Sequence, residues 1–280
     1  YSTLVVEMLS PGGQMATTNA IENYPGFVES VDGFELAMTM QQQAEKFGSE
    51  TLYAQVTAVQ LAGPEKTLTT TEGTLRAKAV IFATGADPRP LGLPGEDGLR
   101  GRGVAYCATC DGGFYRGKTV AVAGGGNSAA EDALTLSKLC KKVYLIHRRD
   151  TLSATRSYLK PLEKAENIEF LWNKQVTGFE VDGTLTGLTL TDTQTGAESQ
   201  LPVDGLFVAI GRQPNTWLVK DQLELDRQGY IVADESCRTS QPGVFAIGDV
   251  RTKPLRQVVT AVADGATASK YLEEYLNGLD

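Results

Sequence analysis

Apolar residues along the chain fall into short runs bounded by glycine or proline, with amphipathic segments between them. Short runs rich in valine and isoleucine predict β-strands, whereas apolar residues three and four positions apart predict α-helices. Strands are expected at residues 2–7, 79–85, 118–123, 142–147, 168–172, 185–190, 203–210 and 244–247. Helices are expected at residues 33–47, 127–139 and about 257–276. Residues 51–60, 66–71 and 74–76 are expected to form a small antiparallel meander.

The alternation of strands and helices predicts an α/β fold built on parallel sheets. The run 79–85 is expected to be an apolar strand that is buried on both faces. The proline-rich segment 87–95 is expected to connect two domains, because proline and glycine disfavour regular structure there.

Composition narrows the functional classes. Apolar residues make up 41% of the chain and charged residues 21%, which are ordinary values for a globular protein with a full core. The net charge of −8 argues against a nucleic-acid-binding surface, which is basic and clustered. No apolar run reaches the roughly 18 residues of a membrane-spanning helix. Only two of the four cysteines, Cys107 and Cys110, lie close together, which fits a reducing cytoplasm rather than a secreted disulfide framework.

A glycine-rich turn at residues 124–129 has the pattern G-x-G-x-x-A. It follows an apolar strand and opens a predicted helix, which is the context that a dinucleotide-binding turn requires. The free N–H groups and positive dipole at such a helix start bind a pyrophosphate. The alternative is an ordinary tight turn between strand and helix.

Two arginines, Arg148 and Arg149, end the next predicted strand, where an NAD site usually has an acidic residue. Guanidinium groups bind phosphate in a bidentate manner, so the pair favours the 2′-phosphate of NADP. The alternative is a solvated basic turn in which Asp150 pairs with the arginines. His147, the single histidine, is either a nucleotide contact or a packed ring, and we assign it no catalytic role.

The spacing of Cys107 and Cys110 is C-x-x-C, which allows two sulfurs to bond across a tight turn. A structural zinc site needs two more ligands, and Cys140 and Cys237 lie far away in the sequence, so no metal site is predicted. Asp111 follows the pair directly. Its carboxyl group either exchanges protons with the thiols or caps the following glycine turn, and both interpretations stay open.

A second nucleotide-binding turn is predicted at Gly248 and Asp249, where an apolar strand ends. The aspartate is placed to accept a hydrogen bond from a ribityl-type hydroxyl, and the following helix directs its N-terminus at a ring or phosphate. Arg256, Gln257 and Val258 lie near the start of that helix.

Several motifs together make the chain similar to one family, the low-molecular-weight thioredoxin reductases. The resemblance runs from about Ser2 to Tyr275, in the family's order and spacing. It is carried by PGGQM, ENYPG, IFATGADPRPLGLPGE, YCATCDGGFYRGKTVAVAGGGNSAAEDAL, VYLIHRRD, GRQPNT and GVFAIGDV.

The resemblance implies two Rossmann-like three-layer domains, as in glutathione reductase, and a homodimer. Residues 1–89 and 216–280 would form a discontinuous FAD domain, and residues 90–215 an inserted NADPH domain that carries the dithiol. The flavin would be held by Glu7, Gly12, Gly13, Gln14, Asn23, Gly85, Gly248, Asp249, Arg256, Gln257 and Val258. NADPH would be held by Gly124, Gly126, Asn127, Ser128, Arg148, Arg149, Gly211 and Arg212.

The resemblance also implies a mechanism. Hydride passes from NADPH to FAD, and the reduced flavin opens the Cys107–Cys110 disulfide, with Cys110 nearest the flavin ring. The NADPH domain then swings, so that Cys107 can attack the disulfide of thioredoxin or a thioredoxin-like protein.

The chain departs from the family pattern in two places. The family opens with a strand and a G-x-G-x-x-G turn for the FAD pyrophosphate, which are absent here, so we expect a natural protein with about 25 more residues. The family usually reads H-R-R-x-x-x-R, whereas this chain has Ser153 at the last position and Arg156 three residues later. Either Arg156 replaces the lost charge or the preference for NADPH is weakened. Two alternatives to the reductase remain: the same fold reduced by ferredoxin or another flavin donor, and a flavin-free, non-catalytic remnant.

Overall fold

The computed structural model describes residues 1–18 and 21–279. The chain divides into two compact units, the first formed by Tyr1–Asp87 with Gln213–Asp280 and the second by Pro88–Arg212. The helices are α1 Gly33–Lys46, α2 Ala108–Asp111, α3 Asn127–Ser137, α4 Arg156–Lys164 and α5 Val258–Asn277. None of the helices in the described residues is long and apolar enough to cross a membrane.

The strands, in chain order, are β1 Leu4–Glu7, β2 Glu50–Tyr53, β3 Val56–Gln60, β4 Lys66–Thr70, β5 Gly73–Ala77, β6 Val80–Phe82, β7 Ala86–Pro88, β8 Val104–Ala105, β9 Thr119–Gly124, β10 Lys142–His147, β11 Ile168–Trp172, β12 Lys174–Asp182, β13 Thr184–Asp192, β14 Glu198–Pro202, β15 Gly205–Ala209, β16 Arg212–Pro214 and β17 Val244–Ala246. The parallel pairing of these strands within each unit confirms the α/β class that the sequence predicts.

The second unit is built on a five-stranded parallel sheet in the order β11-β10-β9-β15-β8. Side chains along β9 alternate between its faces, as expected for a strand that is buried on both. Val120 and Val122 belong to the core beneath α2, α3 and α4, whereas Ala121 and Ala123 belong to the core on the opposite face. This unit therefore has three layers, namely helices, a parallel sheet and the antiparallel sheet β12-β13-β14.

The sequence patterns did not predict the antiparallel layer in full. The strand expected at 185–190 is the middle of β13, and its partners β12 and β14 were missed. Both missed strands carry many exposed polar residues, so they lack the apolar run on which the prediction depended. Helix α4 was missed as well, because Pro161 lies inside it and proline normally signals a break.

The first unit contains two parallel strand pairs, β1 with β2 and β6 with β17, and the antiparallel meander β3-β4-β5. The run 51–60 is therefore not one strand of the meander, as the sequence suggested. It breaks at the buried Ala54, whose N–H donates to the Glu7 carbonyl, and its first half pairs with β1. The expected burial of 79–85 on both faces is also wrong. Within the described residues β6 pairs only with β17, and Ile81 is 38% exposed.

Helix α1 begins at an aspartate cap. Oδ1 of Asp32 accepts hydrogen bonds from the N–H groups of Phe34 at 2.9 Å and Glu35 at 3.0 Å. These N–H groups have no partner inside the helix, so the cap stabilises its first turn.

We expect Asp32→Ala to destabilise α1 by about 1 kcal/mol. Amide hydrogen exchange in the first turn of α1 should become faster, and the thermal midpoint should fall. Asp32→Asn is the matched control, because asparagine caps a helix about as well as aspartate does. Equal losses in the two variants would contradict a capping role.

Candidate active site

The Cys107–Cys110 pair forms a disulfide at the start of α2, with its Cα atoms 5.3 Å apart. Cys107 is the N-cap residue of this helix, and its Sγ accepts a hydrogen bond from the N–H of Cys110 at 3.2 Å. Ala108, between the two cysteines, is buried, whereas Thr109 is exposed. The helix therefore presents its two sulfurs at one end, supported by buried packing underneath.

Asp111 is the last residue of α2, and burial raises the pKa of its carboxyl group to about 6. Its side chain makes no capping hydrogen bond to the following turn, Gly112–Tyr115. Of the two interpretations left open by the sequence, the structure therefore does not support the capping role. A half-buried carboxyl group with this pKa can hold a proton near the dithiol close to neutral pH.

Asp132 is a second acidic residue beside the dithiol, and the sequence reasoning missed it. It lies on α3 and accepts a hydrogen bond from the N–H of Ala108, between the two cysteines. Burial raises the pKa of Asp132 to about 7, and this hydrogen bond opposes the shift.

Glu96 is a further residue that the sequence did not reveal. It is 3% exposed, and its carboxylate accepts hydrogen bonds from the N–H groups of Leu91, Gly92 and Leu93. It also accepts the Tyr106 hydroxyl at 2.6 Å. Since Tyr106 directly precedes Cys107, Glu96 connects the proline-rich loop to the start of the dithiol segment.

The glycine-rich turn lies between β9 and α3, with Gly124 ending the strand and Gly126 at the N-cap position. A Cβ atom on Gly125 would lie 2.2 Å from the His147 ring, so only glycine fits there. His147 is 7% exposed, which identifies it as a packed ring. By contrast, a Cβ on Gly126 would meet only the Ser153 hydroxyl, at 4.0 Å, so its backbone can be approached by a ligand.

Hydrogen bonds connect the loop after β10 to the glycine-rich turn. The Gly125 carbonyl accepts hydrogen bonds from the N–H groups of Ser153 at 2.8 Å and Ala154 at 3.1 Å, and from the Ser153 hydroxyl at 3.1 Å. Oδ1 of Asn127 accepts the N–H of Thr155 at 2.8 Å. Asn127 and Ser128 begin α3, and both are exposed. Ser153, which stands where the family usually has a third arginine, therefore stabilises the turn.

The carboxyl ends of parallel strands meet at one edge of a sheet, which is where ligands bind in such folds. In the second unit β9, β10 and β15 are parallel neighbours. Beyond the ends of these strands lie the glycine-rich turn, the exposed Arg148 and Arg149, and the segment with Gly211 and Arg212. The fold thus brings all the residues predicted to hold NADPH to one edge of this sheet.

The residues predicted to hold the flavin lie in the first unit. Glu7 ends β1, and its Oε1 accepts the N–H of Leu9 at 3.1 Å. Gly12 and Gly13 form a turn, and the Gln14 side chain donates to the Ala86 carbonyl and, at 3.3 Å, to Asp87. Gly85 follows β6. A Cβ on Gly13 or Gly85 would meet no atom within 4 Å, so a ligand can approach the backbone of both.

The remaining predicted flavin residues lie around the start of α5. Gly248 and Asp249 form a 3-10 turn after β17, the parallel neighbour of β6. Nδ2 of Asn23 donates to Oε1 of Gln257 at 2.9 Å, and Gln257 caps α5, which begins at Val258. The Arg256 guanidinium lies over the Tyr230 ring at 3.9 Å, and its Nε donates to the Asp249 carbonyl at 3.2 Å.

The raised pKa of Asp111 gives a pH dependence with a definite sign. An unfolded aspartate titrates near 3.8 and the folded Asp111 near 6, so between these values the folded state binds more protons. The free energy of unfolding should therefore fall as pH rises from about 4 to about 6, by at most about 3 kcal/mol.

We expect Asp111→Asn to remove this part of the pH dependence, measured by urea unfolding at a series of pH values. Asp192→Asn is the control, because hydrogen bonds from Thr195, Lys174 and Gln194 lower the pKa of Asp192 and place its contribution below this window. If the free energy of unfolding of the wild type and of Asp111→Asn changes with pH in the same way, the pKa of Asp111 is not raised.

Comparison with known proteins identifies the family. A family model described as pyridine nucleotide-disulphide oxidoreductase matches residues 2–265. A thioredoxin reductase of Streptomyces coelicolor is 46% identical over 273 residues, covering 97% of this chain and 85% of its own length. A thioredoxin reductase of Treponema pallidum is 43% identical over 277 residues, covering 99% of this chain and 90% of its own. The crystal structure of thioredoxin reductase from Streptococcus pyogenes has a TM-score of 0.88 and 41% identity, covering 98% of this chain and 90% of that one. The chain therefore belongs to the pyridine nucleotide-disulphide oxidoreductases and, within them, to the thioredoxin reductases, enzymes that use a flavin and a pyridine nucleotide.

Proposed function

We propose that this protein transfers electrons from NADPH, through FAD and the Cys107–Cys110 disulfide, to thioredoxin or a thioredoxin-like protein. One observation supports this most strongly: the disulfide-bearing helix α2 packs on α3, the helix that the glycine-rich turn opens. A redox-active disulfide and a nucleotide-binding turn thus share one small unit. We assign FAD to the unit Tyr1–Asp87 with Gln213–Asp280, and NADPH to the unit Pro88–Arg212.

The residues of the second unit fit NADPH. The open backbone at Gly126 and the start of α3 can bind a pyrophosphate, because the first N–H groups of a helix have no partner within it. The exposed guanidinium groups of Arg148 and Arg149 suit a 2′-phosphate. The nucleotide would be held by Gly124, Gly126, Asn127, Ser128, Arg148, Arg149, Gly211 and Arg212.

The residues of the first unit fit a flavin nucleotide. Open backbone at Gly13 and Gly85 and the start of the long helix α5 offer N–H groups to a ring or phosphate. FAD would be held by Glu7, Gly12, Gly13, Gln14, Asn23, Gly85, Gly248, Asp249, Arg256, Gln257 and Val258. Bound there, FAD would accept hydride from NADPH and supply two electrons for opening the disulfide.

The chain's own groups then carry out thiol–disulfide exchange. The Cys107 thiolate attacks a sulfur of the partner's disulfide, which forms a mixed disulfide and releases one partner thiolate. The Cys110 thiolate then attacks Cys107, which restores the Cys107–Cys110 disulfide and frees the second partner thiol. Asp111 supplies a proton to the first leaving partner thiolate, and its carboxylate then takes the proton of the Cys110 thiol as Cys110 attacks Cys107.

We also propose that the protein is a homodimer and works in the cytoplasm. The resemblance to the thioredoxin reductases supports the dimer. The cysteine content supports a reducing compartment, because outside the dithiol the cysteines are the buried free thiols Cys140 and Cys237.

We expect Cys107→Ser and Cys110→Ser each to lower NADPH-dependent reduction of thioredoxin by at least about a hundredfold, because each removes one sulfur of the exchange reaction. NADPH should still bleach the flavin absorbance of both variants in an anaerobic titration. Cys140→Ala is the control, since Cys140 is a buried free thiol outside the disulfide, and the variant should keep its activity. A colourless wild-type protein, or activity that persists without both sulfurs, would refute the proposal.

We expect Arg148→Ala and Arg149→Ala to lower kcat/KM for NADPH roughly 10- to 100-fold each while leaving kcat/KM for NADH within about twofold, because NADH lacks the 2′-phosphate. Arg156→Ala separates the two interpretations of the departure at Ser153. A loss confined to NADPH would show that Arg156 replaces the family's third arginine. Equal kcat/KM for NADPH and NADH in the wild type would contradict the proposal that Arg148 and Arg149 bind the 2′-phosphate. A flavin that NADPH cannot bleach would instead favour another electron donor.

A further inference from the structure

A buried group of charges lies behind the predicted flavin turn in the first unit. We name it the Asp264 cluster, and it consists of Asp264 on α5 with Arg251 and Lys253 from the segment before that helix. Asp264 and Arg251 are each 7% exposed, and the Lys253 side chain is 5% exposed. One carboxylate thus meets two cations in a largely buried site.

The Asp264 carboxylate accepts four hydrogen bonds. Its Oδ2 accepts the N–H of Gly248 at 2.8 Å, Nε of Arg251 at 2.9 Å and Nζ of Lys253 at 2.7 Å. Its Oδ1 accepts Nη2 of Arg251 at 2.9 Å. Burial alone would raise the pKa of Asp264, but the hydrogen bonds from Arg251, Lys253 and Gly248 lower it to about 2. The residue is therefore a carboxylate at neutral pH.

The bond to Gly248 fixes a backbone conformation that few residues adopt. Gly248 has a φ of +68°, in the left-handed region that favours glycine. On the other side of the turn, Arg256 donates to the Asp249 carbonyl at 3.2 Å and to the Arg251 carbonyl at 3.3 Å. The Gly248–Asp249 turn is thus held from two directions, and Asp264 supplies the buried one.

The same cluster ties the turn to the beginning of α5. Nζ of Lys253 also donates to the carbonyl of Thr260, in the first turn of that helix. Asp264 lies about two helical turns after Gln257, the residue that caps α5. The cluster therefore fixes the position of two segments relative to each other, and both are segments assigned to the flavin.

A contribution to stability does not by itself explain the Asp264 cluster. Taking charged groups out of water is costly, and apolar residues of similar volume often stabilise a fold as well as a buried ion pair does. An ion group that bonds to the N–H of a left-handed glycine does something that apolar packing cannot do, because it fixes the direction of that N–H.

We propose that Asp264 is a positioning residue for the flavin, which holds the Gly248–Asp249 turn and the start of α5 in the arrangement that binds FAD. Arg251 and Lys253 keep its carboxylate charged and oriented. This inference rests on the proposed function, since it concerns the FAD site assigned there. Asp264 itself acts through Gly248 and is not a catalytic residue.

The test is the affinity of the whole protein for FAD. Asp264→Asn keeps the shape of the side chain but leaves two buried cations without a counter-charge, and we expect it to raise the FAD dissociation constant about tenfold or more. The matched control is Asp192→Asn in the second unit, since Asp192 also pairs with a lysine, at 3.0 Å, and accepts the N–H groups of Gln194 and Thr195. It should bind FAD within about twofold of the wild type. The NADPH dissociation constant should be unchanged in both variants.

Melting curves separate positioning from a merely structural role. If Asp264 positions the flavin, the rise in Tm that FAD produces should shrink in Asp264→Asn. Equal losses of Tm with and without FAD, at unchanged FAD affinity, would overturn the proposal. If Asp264→Asn does not fold, Lys253→Met takes its place, because it removes one cation but keeps the bond to Gly248. We expect about threefold weaker FAD binding there, and wild-type affinity would overturn the proposal.

Failure of the proposed function gives a different result. If the wild-type protein does not bind FAD, both the proposed function and the proposed role of Asp264 are refuted. A wild type that binds FAD, together with an Asp264→Asn variant that binds it equally well, removes only the role of Asp264.

Discussion

The disulfide site depends on one packing contact, that between α2 and α3. Helix α2 has four residues. A helix of this length is not stable by itself, because ordering the backbone of the first turn costs more free energy than its hydrogen bonds contribute. Its order comes from tertiary contact. Ala108 is buried, its N–H is bound by Asp132, and a Cβ on Gly112 would lie 3.3 Å from Leu136. Helix α3 supplies this support, and it is also the helix whose N-cap residue is Gly126. The position of the dithiol and the position of the glycine-rich turn are therefore set by the same element.

This shared support has a chemical consequence. Because α2 rests on α3, acidic residues of both helices belong to the surroundings of the dithiol segment: Asp111 directly follows Cys110, and Asp132 accepts the N–H of Ala108. Asp111 belongs to α2 and Asp132 to α3, and burial raises the pKa of each, to about 6 and about 7. Thiol–disulfide exchange needs proton donors and acceptors that change state near neutral pH. An ordinary surface aspartate is ionised there, whereas the raised pKa values let Asp111 and Asp132 keep a proton closer to neutral pH.

Local sequence patterns predicted much of the second unit because its parallel sheet is built from uninterrupted apolar runs. Strands β10 and β11 have the predicted bounds, 142–147 and 168–172. Strands β12 and β14 were missed because much of their polar surface is exposed to solvent. Their sequences therefore lack a clear alternation of apolar and polar residues. Motif context identified the family and the dithiol. It could not reveal Asp132, Glu96 or Asp264, because their roles arise from contacts with Ala108, Tyr106 and Gly248, and only the folded chain brings the two members of each pair together.

Three aspartates illustrate why those contacts matter more than the residue type. Asp111 has no capping bond to its following turn, and burial alone raises its pKa. Asp132 accepts one backbone N–H, which opposes burial without overcoming it. Asp264 meets two cations and a backbone N–H, and its pKa falls to about 2. Burial is common to all three, so the number and charge of the donors decide which carboxyl can exchange a proton and which stays ionised. By this criterion the first two can gain or lose a proton near neutral pH, whereas the third stays ionised and holds a backbone N–H in place.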